Sequence, residues 1–511
     1  MTGRTFRRDR YDQLALAFVV INALVWWALY SFARSSLDTY GDMVEAYSWG
    51  VNWQWGYDKH PPLSGWTAAA WFDVFPTRDW AYYLLAVVNQ GIAFWFIFLA
   101  GKRWLSPAAA LLAVLLTSLV PLFGPDTGFK FNANSAMLPW VAIFAWSLIV
   151  GLQTGRYRYI VMAGIAAGAA CLVKYWAPLI LISISLGAIL ITGQHRKLLH
   201  PVTMRQFLVL TGIGSMVFAP HVGWAVLHQW PCLSYAHTSH TIAAGVSTFT
   251  ATLGVLFDLF LVSLLPVLAW GGGGVWGARS GSASPTGELS ATVARSRVSL
   301  SLAGASIFVL TLIATMISAH FAGVSVASKW LIPAWLFFAW FLVALLPRDL
   351  QPEKTIRPVA VVVGLYWLGL GCYVVSINLG PTAPRDVTNQ RQSIANEVTR
   401  EFQHLYGKPL AYVGGNEALS FSTTFYSVEH PVAVASLDFR RTSWVNEADV
   451  HQAGLVVLCE DWQHDCVDKA KHLLGEPQSQ SVWRGQSDAG QPDSVVEMFY
   501  APKSWVQLAQ R

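Results

Sequence analysis

Of the 511 residues, 54% are hydrophobic and only 12% are charged, and mean hydropathy is +0.42. Soluble domains carry about a quarter charged residues, so the composition excludes a soluble enzyme and describes a membrane protein. The net charge of +5 is accounted for by loop lysines and arginines facing anionic lipid headgroups, and does not indicate nucleic-acid binding.

Apolar runs of about 17 to 25 residues are long enough to cross a bilayer as helices, with every backbone polar group satisfied internally. They predict about eleven spans, near 13–33, 81–101, 106–123, 135–152, 159–174, 176–193, 207–227, 251–270, 300–319, 330–346 and 358–378. The first is read as a retained span, because no small-residue cleavage site follows it. Arg4, Arg7, Arg8, Arg10, Lys102, Arg103, Arg156, Arg158, Arg196, Lys197, Arg295, Arg297, Arg348, Lys354 and Arg357 all fall on one side. Short basic loops stay in the cytoplasm. That parity puts the N-terminus on the cytoplasmic side of the membrane and residues 379–511 outside.

The loop between the first two spans, 34–80, shares that outer side and holds many of the chain's scarce charges among interfacial tryptophans. Asp42, Glu45, Ala46 and Trp49 keep helical spacing, so the two carboxylates share a helix face. In WGYDKHPPLSGW, 55–66, Pro61-Pro62 fixes the path after Asp58-Lys59-His60 and orients that group. An acid beside a cation at a membrane surface suits a phosphate headgroup. Asp73, Arg78 and Asp79 read as solvated charge.

Further along, GPDTGFKFNANSAMLPW, 124–140, enters the fourth span with Asp126, Lys130, Asn132 and Asn134. The asparagines either orient a substrate or cap the helix. Lys174 and Lys329 stand at outer ends of spans, where a lysine reaches a phosphate or snorkels. The GGGG at 271–274 and the Ser/Gly-rich stretch after it read as a flexible inner loop. From residue 379 the chain turns polar. KPLAYVGG, PVAVAS and LVVLCED read as strands, NEALSFSTTFYS and CVDKAKHLL as helices, giving a small α/β domain in which an exported Cys459 and Cys466 are placed to form a disulfide. Domain organisation is therefore a membrane unit, 1–378, and an exported domain, 379–511.

Asp42 to Tyr47 followed by the aromatic-Asp-Lys-His-Pro-Pro-Leu run resembles the first outer loop of polyprenyl-phosphate-dependent glycosyltransferases, the protein-mannosyltransferase and aminoarabinose-transferase superfamily. The 124–140 loop, VKYW at 173–176, PHVGW at 220–224, SKWLIPAW at 328–335 and FYSVEHP at 425–431 extend the resemblance over nearly the whole chain. It looks closest to the branch containing bacterial lipopolysaccharide-core galacturonosyltransferases. The resemblance implies a GT-C fold: an α-helical integral membrane protein of about eleven spans with the small α/β domain appended. It implies an enzyme that takes a sugar from a polyprenyl-phosphate donor and moves it to a lipid A or core saccharide, or another envelope acceptor, at the periplasmic face.

Carried over residue by residue, it makes Asp42 the catalytic carboxylate and gives the donor phosphate to Asp58 and Lys59. The chemistry of the residues themselves adds Asp126 as a second candidate base, Lys174 and Lys329 as further phosphate contacts, and Glu45, Tyr57, His60, Lys130, Asn132 and Asn134 as substrate-orienting groups. A divalent metal, Zn²⁺ or Mn²⁺, falls to Asp58 and His237, with His240 the alternative ligand. Glu45 departs from the aminoarabinose pattern, which carries a basic residue there. A single base implies inversion in one displacement. A lipid flippase or transporter, and a protein O-mannosyltransferase-like enzyme, are the alternative readings. Few charges inside spans and no inverted repeat oppose transport.

Overall fold

A computed structural model describes residues 2–33, 37–38, 41–124, 130–194, 200–240, 248–279, 291–322, 328–345, 352–379, 387–485, 495–502 and 504–505. The helices are α1 (Thr2–Ala33), α2 (Asp42–Gly50), α3 (Leu63–Phe72), α4 (Asp79–Gly101), α5 (Pro107–Ser118), α6 (Ala133–Ala136), α7 (Leu138–Thr154), α8 (Tyr157–Val173), α9 (Ala177–Thr192) and α10 (Pro201–Leu227). They continue with α11 (Pro231–His240), α12 (Thr248–Arg279), α13 (Ala291–Ala322), α14 (Ile332–Trp335), α15 (Phe338–Ala344) and α16 (Pro352–Leu379).

Among the described residues, six stretches are long and apolar enough to cross a membrane: Arg10–Phe32, Asp79–Gly101, Ala133–Thr154, Pro201–Leu227, Thr252–Trp276 and Pro352–Ser376. Shorter apolar helices are Pro107–Ser118, Tyr157–Val173, Ala177–Thr192 and Ser306–Phe321. The 330–346 stretch, expected as one span, is broken into a 3₁₀ turn, α14 and α15 at the Leu336-Phe337 turn. Ridges of Ala, Leu and Phe on α4, α5 and α7 form the inner core, where Phe94, Phe98, Leu112, Leu116, Phe131 and Leu138 are fully buried. Other faces of the apolar helices leave Leu, Ile and Phe exposed, as lipid-facing surfaces do.

The GGGG segment is not a loop. Residues 271–274 continue α12, and a Cβ on Gly273 would meet Thr355 Cγ2 and Val359 Cγ2 of α16 at 3.0 Å. The missing side chain lets α12 lie close against α16. Of the Ser/Gly-rich stretch after it, expected as a flexible loop, 275–279 finish α12 and 291–299 begin α13, while 280–290 lie outside the described residues.

In the first loop, α2 and α3 cross where two glycines meet, because a Cβ on Gly50 would stand 2.0 Å from the Gly65 carbonyl oxygen. The close crossing carries WGYDKHPP between the two helices. The C-terminal domain comprises α17 (Val387–Tyr406), β1 (Tyr412–Gly415), α18 (Glu417–Tyr426), β2 (Val432–Ala435), α19 (Glu447–Ala453), β3 (Leu455–Glu460), α20 (His464–Leu474), β4 (Ser479–Arg484) and β5 (Val495–Tyr500). Its sheet runs β2-β1-β3-β5-β4. β1 pairs parallel with β2 and β3, and β5 pairs antiparallel with β3 and β4. Short buried runs such as VVLC in β3 suit a strand covered on both faces. Cys459 and Cys466 are joined in a disulfide.

This domain is docked on the first loop through α18, which packs on α2. Phe425 sits among the rings of Tyr47, Phe72 and Tyr82, with centroids 5.2, 5.1 and 5.4 Å away. Arg391 on α17 donates to the Asp38 carbonyl at 2.8 Å. Tyr426 donates to the Asp79 carboxylate at 2.7 Å, so Asp79 is a docking acceptor and not solvated charge. Phe425→Ala should therefore cost about 3–5 kcal/mol and lower the melting temperature in detergent. A melting curve superposable on the parent's would show that the docking does not rest on this ring.

Candidate active site

The site begins at the N-terminus of α2. The Asp38 carboxylate, itself 1% exposed, accepts the N–H groups of Asp42 and Met43, both at 2.9 Å, and so caps the helix. The cap sets Asp42 at the first helical position with its carboxylate facing the α6 turn. There Asn132 Nδ2 donates to Asp42 Oδ2 at 3.2 Å. The same asparagine uses its Oδ1 to accept the N–H groups of Asn134 and Ser135, at 3.0 and 3.2 Å. The two readings of the asparagine thus coexist in one side chain, capping with its oxygen and holding Asp42 with its nitrogen.

Lys59 lies between two carboxylates, hydrogen-bonded to Glu45 and, at 2.8 Å, to Glu417 of α18. Glu417 also pairs with Arg441, which reaches Asp58 Oδ2 at 2.7 Å. The chain Glu45–Lys59–Glu417–Arg441–Asp58 alternates in sign and spans the boundary between the first loop and the C-terminal domain.

Burial opposes the charge on Lys59, yet Glu45 and Glu417 together hold its pKa above the ordinary lysine range. Burial also raises Glu417, but Lys59 and Arg441 outweigh it and hold that carboxyl down to about 2. Burial dominates at Glu45 and pushes it up to about 8 against the pull of Lys59. Glu417 alone suffices to balance Lys59, so Glu45 is the carboxylate that takes a proton.

An acid whose pKa is raised on folding binds its proton more tightly in the folded state. Its contribution is complete below the unfolded value near 4.5 and is lost as pH rises toward 8. The melting temperature should fall between pH 5 and pH 8, by an amount worth about 2–4 kcal/mol, and Glu45→Gln should flatten that slope. Equal slopes in variant and parent would assign the titration elsewhere.

Farther into the helices, Lys174 at the end of α8 donates to Asn134 Oδ1 and stands over the Trp330 ring, 5.3 Å from its centroid. Two of the sequence motifs meet here. Tyr175 of VKYW donates to His221 Nε2 of PHVGW at 2.7 Å, and His221 Nδ1 donates to the Trp55 carbonyl at 2.6 Å. Cys232 donates to the Tyr57 carbonyl at 3.0 Å, so α10 and α11 fix the back of the first loop.

These groups enclose a cavity of 520 Å³. Asp42, Glu45, Lys59, His60, Asn132, Asn134, Lys174, His237 and Lys329 all line it, and Trp176, Leu179, Leu233 and Trp330 supply apolar wall. Tyr57, Asp58 and Lys130 do not line it. Tyr57 stacks on Trp49 with centroids 5.3 Å apart, and Asp58 is 7% exposed beneath Arg441. Asp126 lies outside the described residues, and so does the side chain of His240. Sequence reasoning missed Glu417 and Arg441. No spacing signal joins residues more than 350 positions from Lys59 and Asp58, although Glu417 opens α18 just after β1 and Arg441 stands on a turn after β2.

A family model described as dolichyl-phosphate-mannose-protein mannosyltransferase matches residues 59–224, from Lys59 through Lys174 and His221 to Trp224. Over that third of its length the chain is similar to the protein-mannosyltransferase family. The whole chain is similar in fold to ArnT from Cupriavidus metallidurans bound to undecaprenyl phosphate, with a TM-score of 0.61 and 13% identity over 95% of this chain and 98% of that one. The apo state of the same ArnT aligns with a TM-score of 0.60 at 13% identity, over the same shares of the two chains. No curated protein matches the chain significantly.

The expected metal pair does not fit this geometry. Asp58 is held by Arg441 and stands outside the cavity that His237 lines, and among the described residues no group of three His, Cys, Asp or Glu side chains is gathered for a metal.

Proposed function

We propose that the protein moves a sugar from a polyprenyl-phosphate donor to a hydroxyl or amine of a lipid A or core saccharide, or another envelope acceptor, at the periplasmic face of a bacterial inner membrane. The observation that carries this reading is one cavity in which Lys59, Lys174 and Lys329 face Asp42 beside a wall of Trp and Leu. Three lysines suit a phosphate, and the apolar wall suits the first isoprene units of its lipid. The fold neighbour whose structure was solved with undecaprenyl phosphate supports the same class of donor.

In the reaction, Asp42 takes the proton from the acceptor as its oxygen or nitrogen bonds to the anomeric carbon. The bond from that carbon to the phosphate oxygen breaks, and polyprenyl phosphate leaves with its negative charge met by the lysines. One base on one face gives inversion. Asn132 positions the Asp42 carboxylate, and Asn134 positions Lys174. Asp58 acts indirectly here, by anchoring Arg441 and through it Glu417. Because Asp58 is committed to Arg441, no step is routed through a divalent cation.

Docking of the C-terminal domain on the first loop is consistent with both lying in the periplasm. Purified protein in detergent is expected to bind undecaprenyl phosphate but not undecaprenol, and to lose that binding when Lys59, Lys174 and Lys329 are replaced together by Gln. Equal retention of phosphate and alcohol would remove the phosphate from the account.

A further inference from the structure

A second cavity, of 720 Å³, opens in the C-terminal domain and is lined by Gly415, Asn416, Trp462, Gln463, His464 and Asp465, with Glu417 on its inner side. We infer that this crevice is a binding site for the saccharide part of the acceptor, a polyhydroxyl ligand uncharged where it meets the protein. The acceptor role rests on the transferase reading above; the binding itself does not.

The topology argues for a ligand here. From β1 the chain turns to β2 on one side, then crosses to β3 on the other, so β1 and β3 flank the switch point of the parallel strands. Ligands of open α/β sheets bind outside the carboxyl ends of the strands at such a point. Gly415 ends β1 there with φ of +101°, and a Cβ on it would stand 2.2 Å from the Leu458 carbonyl oxygen. Glycine keeps the floor of the crevice open and lets β1 and β3 close beneath it.

The side chains argue for a sugar. Trp462 is 66% exposed, yet it is held in place. Its indole N–H donates to Glu460 Oε2 at 2.8 Å, and Asn416 Nδ2 donates to Glu460 Oε1 at 3.0 Å and to Gln463 Oε1 at 2.9 Å. The Cys459–Cys466 disulfide closes the same loop. An exposed but fixed aromatic face, ringed by amide and carboxylate groups, is what a pyranose needs to stack its C–H face and bond its hydroxyls.

A phosphate ligand is disfavoured. The N-termini of α18 and α20 both open on the crevice and Lys469 lines it as well, but each helix end already carries its own carboxylate, Glu417 and Asp465, in the first turn. Glu417 also pairs with Lys59 at 2.8 Å, so this ion pair is the wall between the crevice and the catalytic cavity. A saccharide chain lying on Trp462 runs toward that wall and brings its next residue to the donor.

The test uses the full-length protein in detergent on an array of neutral, amino, uronate and phosphorylated oligosaccharides, followed by titration of the strongest binder. Binding of an unphosphorylated saccharide is expected, weakened at least about tenfold by Trp462→Ala and restored by Trp462→Phe. Undecaprenyl phosphate binding should be the same in all three proteins. Binding only to phosphorylated saccharides, or to none, or equal binding by Trp462→Ala, would overturn the proposal. If saccharide binding depends on Trp462 while the parent fails to bind undecaprenyl phosphate, the crevice stands and the transferase reading falls.

Discussion

Asp42→Asn should lower sugar transfer by about 10²- to 10⁴-fold while leaving donor binding within about twofold of the parent. The substitution keeps the shape of the side chain and removes only the base. It also keeps the cap, because the Asp38 carboxylate accepts the backbone N–H of residue 42 and not its side chain. The loss should appear in kcat at saturating donor. Transfer by Asp42→Asn at the parental rate would take Asp42 out of the mechanism and pass the role to Asp126.

Lys59→Ala should be more damaging in a different way. It removes a cation from the proposed phosphate site and takes the shared partner from the buried Glu45 and the half-buried Glu417, which keeps Arg441. Breaking a buried pair by deleting one member costs about 3–5 kcal/mol, so weakened donor binding and a lower melting temperature should come together. Glu45 is already pushed toward its neutral form, so Lys59→Ala combined with Glu45→Gln should recover stability without recovering donor binding. Transfer and a melting temperature both equal to the parent's in Lys59→Ala would contradict the assignment of Lys59 to phosphate and network alike.

Local patterns made the architecture readable. Long apolar runs must be helices in a membrane, and the short apolar strands of the C-terminal domain lie between turn residues, so both can be recognised from neighbours in the chain. Failures came where partners are distant. GGGG looks like a linker in isolation, but its meaning is set by Thr355 and Val359 on α16. Asp79 looks solvated until Tyr426 donates to it. Asp58 and Lys59 are adjacent and resemble a pair serving one phosphate. The fold separates them, turning Lys59 into the cavity and Asp58 beneath Arg441. Glu417 and Arg441 give no local sign of a role, because their meaning comes from the docking of one domain on another.

The central claim is that the Asp42 and Lys59 cavity cleaves a polyprenyl-phosphate sugar. It is tested most directly by incubating the purified protein with a panel of undecaprenyl-phosphate-linked sugars and a total envelope lipid extract, then measuring undecaprenyl phosphate and modified acceptor by mass spectrometry. The account predicts that one donor is consumed, that undecaprenyl phosphate and a glycosylated acceptor rise in equal amount, and that Asp42→Asn yields neither. Transfer from a nucleotide sugar with every lipid-linked donor left intact, or donor loss that Asp42→Asn does not slow, would contradict it.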